Sequence, residues 1–369
     1  LTYHDLAVEV ESNPGEELLE HMHSTELGQP GSLRYQHTDL RERLNSKGEN
    51  YYMYLRKNGK MLGSVGFCGK PSSTLGKSYD TWMIRYFSIK APIRGVPKKR
   101  KEKGELKEES KRSTVLGRFI QPVFADPSQL REGGGEKESP SIVYAIIEQK
   151  NLRSMNFSAQ MGLETVREVI GFSFSRLHPR SSPRVEQLRR GEQQEVLALL
   201  ERFYSGYNLY FPDSLFKDDQ YYVIRDQRRI VAGVQVYPVA WRIIDFGSGL
   251  ANWLVGNLQW IRYVKKRVNP EAFRLLAFDG IYCEKGYEEE LYELMEGVFH
   301  LTGNYVSMLL MDKDSSLFRI FRERGNWGPV NRVVGTYTAD VRVRFIHLPD
   351  EVRRHFQEHP TYIPTYDNS

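Results

Sequence analysis

An apolar run at Tyr51-Tyr52-Met53-Tyr54 leads over a polar turn, Lys57-Asn58-Gly59, to Gly63 twelve positions on, and then to an alternation through Val65 and Phe67. The run Tyr221-Tyr222-Val223-Ile224 leads in the same way over Asp226-Gln227-Arg228 to Gly233 at the same interval, then through Val234, Val236 and Tyr237. Both patterns predict a hairpin of antiparallel strands. A second correspondence lies further along each half. Asn151 to Phe157 runs into Gly162, eleven positions from Asn151, and then a strand over Val166–Phe174. Asp314 to Ile320 runs into Gly325 at the same spacing, and then a strand over Val330–Val341. Two matches in the same order predict a duplication.

The remaining periodicities fill in each copy. Thr81–Ile89 and Ser141–Ile147 read as strands in the first half, and Phe273–Tyr282 and Asn304–Met311 in the second. A helix is predicted over Glu192–Tyr204, with Val196, Leu199, Leu200 and Phe203 on one face. Another is predicted over Tyr287–Leu301, with Leu291, Leu294, Met295, Val298 and Phe299 at helical spacing. Strands interleaved with helices indicate an α/β (α+β) chain of two tandem mixed-sheet domains with flanking helices. The run Leu177 to Arg184, with two prolines and two serines, reads as a connector. The expected division is therefore 1–178, a linker at 179–184, and 185–369. Ala91–Lys111 reads as a charged insertion, Arg131–Pro140 with its three glycines as a loop, and Trp241–Val268 as the source of an extra helix.

Composition narrows the function classes. Hydrophobic residues make up 40% and charged residues 27%, as in a globular protein, and the net charge of +5 does not point to a nucleic-acid partner. The two cysteines, Cys68 and Cys283, supply neither a disulfide framework nor a Cys-based metal site. The most apolar stretch, Leu250 to Val264, carries Asn252, Asn257 and Gln259 and suits a packed amphipathic helix better than a membrane span. No membrane partner and no metal are expected, and the default location is the cytoplasm.

The strand before Asn151, then Ser154, Phe157 and Gly162-Leu163-Glu164, then another strand, resembles the closing motif of the GNAT superfamily of N-acetyltransferases. In that motif an Asn begins a short helix, a Tyr often follows seven positions later, and a Gly-Phe pair ends the helix. Here Ser158 and Leu163 stand in the Tyr and Phe positions. The family binds coenzyme A pyrophosphate on a loop of the form Gln/Arg-x-x-Gly-x-Gly/Ala, where consecutive amides and a helix N-terminus face an anion. The matching segment is Arg112-Ser113-Thr114-Val115-Leu116-Gly117, with Val115 in place of the middle glycine, and Pro122 predicts a short or bent helix after it. In the second copy Glu288, Glu289 and Glu290 occupy the equivalent helix start, and Asp314 replaces the Asn. Carboxylates there compete with a pyrophosphate, so only the first copy is expected to bind the coenzyme.

The resemblance implies an acetyl-CoA dependent N-acetyltransferase in which an amine, of a small molecule or a peptide, attacks the thioester directly. It assigns the oxyanion donors to the strand near Tyr86, Phe87 and Ser88, and the coenzyme arm to Asn151. Ser158 stands at the family's acid position, while Asp80 and Glu148 flank strands that should converge on the site. Two rival readings remain open. One is an aminoacyl-tRNA dependent, FemX-like transferase, for which the basic run Lys98-Lys99-Arg100-Lys101 with Lys103 is the candidate surface. The other is a non-catalytic ligand-binding or interaction module on decayed GNAT folds.

Overall fold

The computed structural model describes residues 6–44, 49–89, 115–131, 139–247, 249–258, 267 and 269–368. The insertion expected over Ala91–Lys111, with its basic run, lies outside the described residues, as do Arg112, Ser113 and Thr114 of the expected coenzyme loop.

The first half supplies strands Leu6–Glu11 (β1), Leu33–His37 (β2), Glu49–Lys57 (β3), Lys60–Thr74 (β4), Lys77–Ile89 (β5), Ser141–Glu148 (β6) and Glu164–Ser175 (β7). The second supplies Val185–Gln187 (β8), Tyr221–Asp226 (β9), Arg229–Phe246 (β10), Phe273–Cys283 (β11), Val306–Asp312 (β12) and Tyr337–Ile346 (β13). Helices of the first half are Glu16–His23 (α1), Leu40–Leu44 (α2), Val115–Ala125 (α3) and Leu152–Gln160 (α4). Those of the second are Gln193–Phe203 (α5), Gly249–Leu258 (α6), Glu288–Thr302 (α7), Ser316–Arg324 (α8), Pro329–Val334 (α9), Asp350–Glu358 (α10) and Thr365–Asn368 (α11).

Among the described residues these strands form one sheet, in the order β1-β3-β4-β5-β6-β13-β7-β12-β11-β10-β9-β8, with β2 added along β10. The order reads the same from either end once each strand is matched to its counterpart in the other half. At the centre the halves exchange their last strands: β13 pairs with β6, β7 pairs with β12, and β7 and β13 pair with each other. Every residue of β12 is buried, and β13 buries Ala339, Val341 and Val343. Strands covered on both faces need a partner on each edge, and the exchange supplies it. The connector at 179–184 therefore joins two halves of a continuous sheet.

Helices cover the sheet where their apolar stripes demand. Ile120, Val123 and Phe124 of α3 pack on Phe67, Trp82 and Val143. The stripe predicted for the second half, Leu291, Leu294, Met295, Val298 and Phe299 of α7, packs on Val234, Phe174 and Phe278. One expected strand is corrected: Val330 does not begin β13 but lies in helix α9, which has Pro329 at its first position and ends at Gly335. Val330, Val333 and Val334 fall at helical spacing, and proline is well placed at a helix start.

Both halves bend at the same place. Ser64 pairs with Ser88 and Gly66 with Arg85, so Tyr86 and Phe87 bulge opposite Val65, with φ +53° at Tyr86. In the second half Gly233 pairs with Tyr282 and Gln235 with Asp279, so Gly280 and Ile281 bulge opposite Val234, with φ +52° at Gly280. The structure thus aligns Gly233 with Ser64, one residue on from Gly63. Beyond each bulge the parallel neighbours part: β5 and β6 are in register only from Asp80↔Ser141 to Met83↔Tyr144, and β11 and β12 only at Leu276↔Ser307 and Ala277↔Met308.

Candidate active site

A bulge leaves a residue outside the ladder, and a splay leaves strand edges without a neighbour. In the first half both features open onto a cavity of about 600 Å³. Its walls come from Met83 to Phe87 of β5, Ala145 to Glu148 of β6 and one side of α4. From the second half they come from Trp241, Phe273, Leu275 and Met308, with Val330, Val334 and Tyr337 across the top. The site is thus shared by both halves and is largely apolar.

The residues expected from sequence separate into two groups. Phe87 sits on the bulge and stacks on Phe157 of α4 at 4.6 Å. Glu148, at the end of β6, lines the cavity and accepts a hydrogen bond from the Ser32 hydroxyl at 3.0 Å. Asn151 also lines it, and its side-chain oxygen accepts from the Ser154 amide at 3.1 Å, capping α4. Ser158 lines the cavity too, but its buried hydroxyl donates to the Met155 carbonyl at 2.9 Å. That back-bond within the helix takes up the proton an acid would have to give.

The second group lies elsewhere. Ser88, paired to Ser64, lines a small neighbouring crevice beside Ile120 instead of the cavity. Asp80 is held by Arg131 at 2.6 Å at the closed end of the β5–β6 pair, where Arg131 also grips both oxygens of Glu49 at 2.8 Å. It does not line the cavity. Val115, Leu116 and Gly117 form the first residues of α3, so a helix N-terminus lies where the coenzyme loop was expected to end. Burial pushes both thiols up, that of Cys283 to about 12, which suits packing and not nucleophilic chemistry.

Three polar side chains of the cavity were not anticipated, Tyr86 having been placed there only through the backbone of its strand. Arg85, buried, lies with its guanidinium over the ring of Tyr86 at 4.8 Å and pairs with Asp367 of α11 at 3.4 Å. The Tyr86 hydroxyl is buried and has no hydrogen-bond partner among the described residues. His37, at the end of β2, places Nδ1 3.7 Å from Asp39 Oδ1. Burial pushes His37 down to about 4, so its ring is neutral at physiological pH. The spacing His37-Thr38-Asp39, with Arg43 four residues beyond, was the available signal; its meaning depends on β2 reaching across to β10.

Among the described residues no cluster of three or more His, Cys, Asp or Glu side chains could hold a metal ion, and no helix is long and apolar enough to cross a membrane.

No protein-family model and no curated protein matches the sequence. Solved structures do match the fold. The N-myristoyltransferase of Saccharomyces cerevisiae with bound myristoyl-CoA superposes with a TM-score of 0.54 at 11% identity, over 92% of this chain and 82% of that one. A second structure of that yeast enzyme, with bound myristoyl-CoA and inhibitors, gives 0.53 at 11% identity over 92% and 80%. A GCN5-related N-acetyltransferase from Sphaerobacter thermophilus gives 0.46 at 12% identity over 90% and 86%. The chain shares the fold of the yeast N-myristoyltransferase over most of its length, as a mixed α/β sheet.

Proposed function

We propose that the protein is an acyl-CoA dependent N-acyltransferase whose single working site is the first-half cavity. The observation that carries this reading is the bulge at Tyr86–Phe87, which releases backbone from the ladder at the mouth of an apolar cavity between splayed parallel strands. An amide freed there is a donor for the oxyanion that forms when an amine attacks a thioester carbonyl. The coenzyme's phosphates would meet the segment Arg112 to Gly117 and the N-terminus of α3, and its arm would pass Asn151, as the resemblance implies. Apolar walls hold the reacting pair together and exclude water.

Acetyl-CoA is the smallest co-substrate consistent with this reading. The cavity favours a longer acyl group: about 600 Å³ is room on the order of twenty water-sized groups. Phe, Leu, Ile, Val, Met and Trp make up most of its walls, and a bare acetyl would leave most of that apolar surface uncovered. The acceptor in this reading is a primary amine of a small molecule or a peptide.

Thermal shift and calorimetry with CoA, acetyl-CoA and myristoyl-CoA test the proposal. Binding raises the melting temperature by mass action, and the expected order of affinity is myristoyl-CoA, then acetyl-CoA, then CoA. Failure of all three to bind at millimolar concentration would sink the reading. Binding without thiol release towards any amine would leave a ligand-binding module.

A further inference from the structure

We infer that His37 is the base that takes the proton from the attacking amine, with Asp39 fixing its ring; the inference rests on the acyl-transfer reading above. The ring is held by its neighbours: His37 is in register with Trp241, Tyr35 stacks on Trp241 at 3.9 Å, and Tyr35 meets the imidazole edge-on at 5.5 Å. Asp39 is fixed in turn. Its Oδ1 accepts from Arg43 Nε at 2.9 Å and its Oδ2 from the Ala240 amide at 3.2 Å, and Arg43, fully buried, donates onward to the Tyr366 carbonyl.

A carboxylate that cannot swing away favours the proton on Nδ1, which leaves the lone pair on Nε2. His37 lines the cavity, and Asp39 Oδ1 is the carboxylate oxygen that faces its Nδ1. Nucleophile, base and orienting carboxylate are the general plan of amine and hydroxyl activation, and here the nucleophile would arrive with the substrate. At 3.7 Å the His37–Asp39 contact is longer than a hydrogen bond. Such contacts often tighten only when the site is loaded. The charged groups acting on His37 are Asp39, Arg43 and Arg85, and burial keeps the ring neutral and able to accept.

The step balances without a further reagent. The amine nitrogen bonds to the thioester carbon, the C–S bond breaks with its electron pair going to sulfur, and the N–H proton passes to His37 Nε2. His37 then returns that proton to the thiolate, leaving an amide, a thiol and a neutral ring.

The test is single-turnover thiol release from myristoyl-CoA in the presence of a pooled library of peptides with free N-termini. It is run on the full chain beside calorimetry of myristoyl-CoA binding. His37→Gln, which nearly fills the same volume, should slow release by about 100-fold or more while the dissociation constant stays within about threefold. Asp39→Asn should slow it by a smaller factor. Added imidazole should restore part of the rate to His37→Ala and none to Asp39→Asn; if His37→Ala does not fold, His37→Gln carries the comparison. Wild-type turnover with His37→Gln within threefold of it overturns the role of His37 alone. Failure of the wild type to bind myristoyl-CoA overturns the acyl-transfer reading and the role of His37 with it.

Discussion

The amide of Gly280 donates to the hydroxyl of Tyr362 at 3.0 Å. Gly280 is the second-half counterpart of Tyr86, so where the first half faces a cavity, the second is filled by its own chain. Tyr221 donates to the Gly280 carbonyl at 2.9 Å and Tyr204 to the Ile281 carbonyl at 2.7 Å. The segment leading into α11 follows the gap between β11 and β12: the Thr361 amide donates to Asp312 at 3.0 Å, and the Leu310 amide to the Thr365 hydroxyl at 3.3 Å. The gap that would receive a thioester arm is therefore occupied.

Calorimetry should accordingly find one acyl-CoA per chain. Tyr362→Phe removes the acceptor of a buried amide and should cost about 1–3 kcal/mol of stability, leaving stoichiometry and affinity unchanged. A second binding event in the wild type would overturn this account of the second half.

Asp279 and His37 should give the protein opposing pH dependences. Burial pushes the Asp279 carboxyl up to about 7, against the pull of the Tyr366 and Thr365 amides that it accepts. Its folded value exceeds the unfolded one, so the folded state keeps a proton that the unfolded chain loses. Stability falls by about 4 kcal/mol between pH 4 and 7 on this account. His37 is depressed from the unfolded value, so the unfolded chain binds the extra proton, and stability rises by about 3 kcal/mol between pH 4 and 6.5. In the wild type the two nearly cancel. Relative to wild type, urea unfolding should show Asp279→Asn gaining stability as pH rises and His37→Gln losing it; flat differences would remove both assignments.

The hairpins were legible because a strand's alternation and its turn residues are local. The short helices after Asn151 and Asp314 were legible for the same reason, and Asn151 and Ser315 do cap them. The exchange of β7 and β13 was not legible. A buried strand specifies which residues are covered but not which strand covers them, and Val169 and Val341 would suit either neighbour. Nor did the sequence mark the first bulge, since Tyr86 takes a positive φ without being glycine. Within the site, Phe87, Glu148 and Asn151 could be found because they lie on neighbouring elements of one half. His37, Arg85 and the apolar wall around Leu275 meet only through β2–β10 pairing and the central exchange.

Asn151 separates a structural role from a binding one. Its side chain caps α4 through the Ser154 amide, so Asn151→Ala should cost about 1 kcal/mol, and Asn151→Ser should recover most of that. If the amide also holds the coenzyme arm, Asn151→Ser will be as stable as wild type yet bind myristoyl-CoA more weakly. Equal binding by wild type and Asn151→Ser would confine the residue to capping.

Gly171 tests whether the central crossing shapes the cavity. It lies on β7 in register with Tyr337 of β13, and a Cβ added there would stand 2.2 Å from the tyrosine ring. The ring is not free to ignore it, because Tyr337 lies over the backbone at the crossing of the exchanged strands and also lines the cavity. Gly171→Ala should therefore cost about 1–3 kcal/mol through overpacking. Relaxation that moves the ring into the cavity shortens the room for an acyl chain. Myristoyl-CoA binding should weaken by a larger factor than acetyl-CoA binding, whereas a purely global destabilisation would leave both affinities unchanged at temperatures well below melting. Equal affinities for both ligands in wild type and variant would mean that the acyl chain does not reach the crossing.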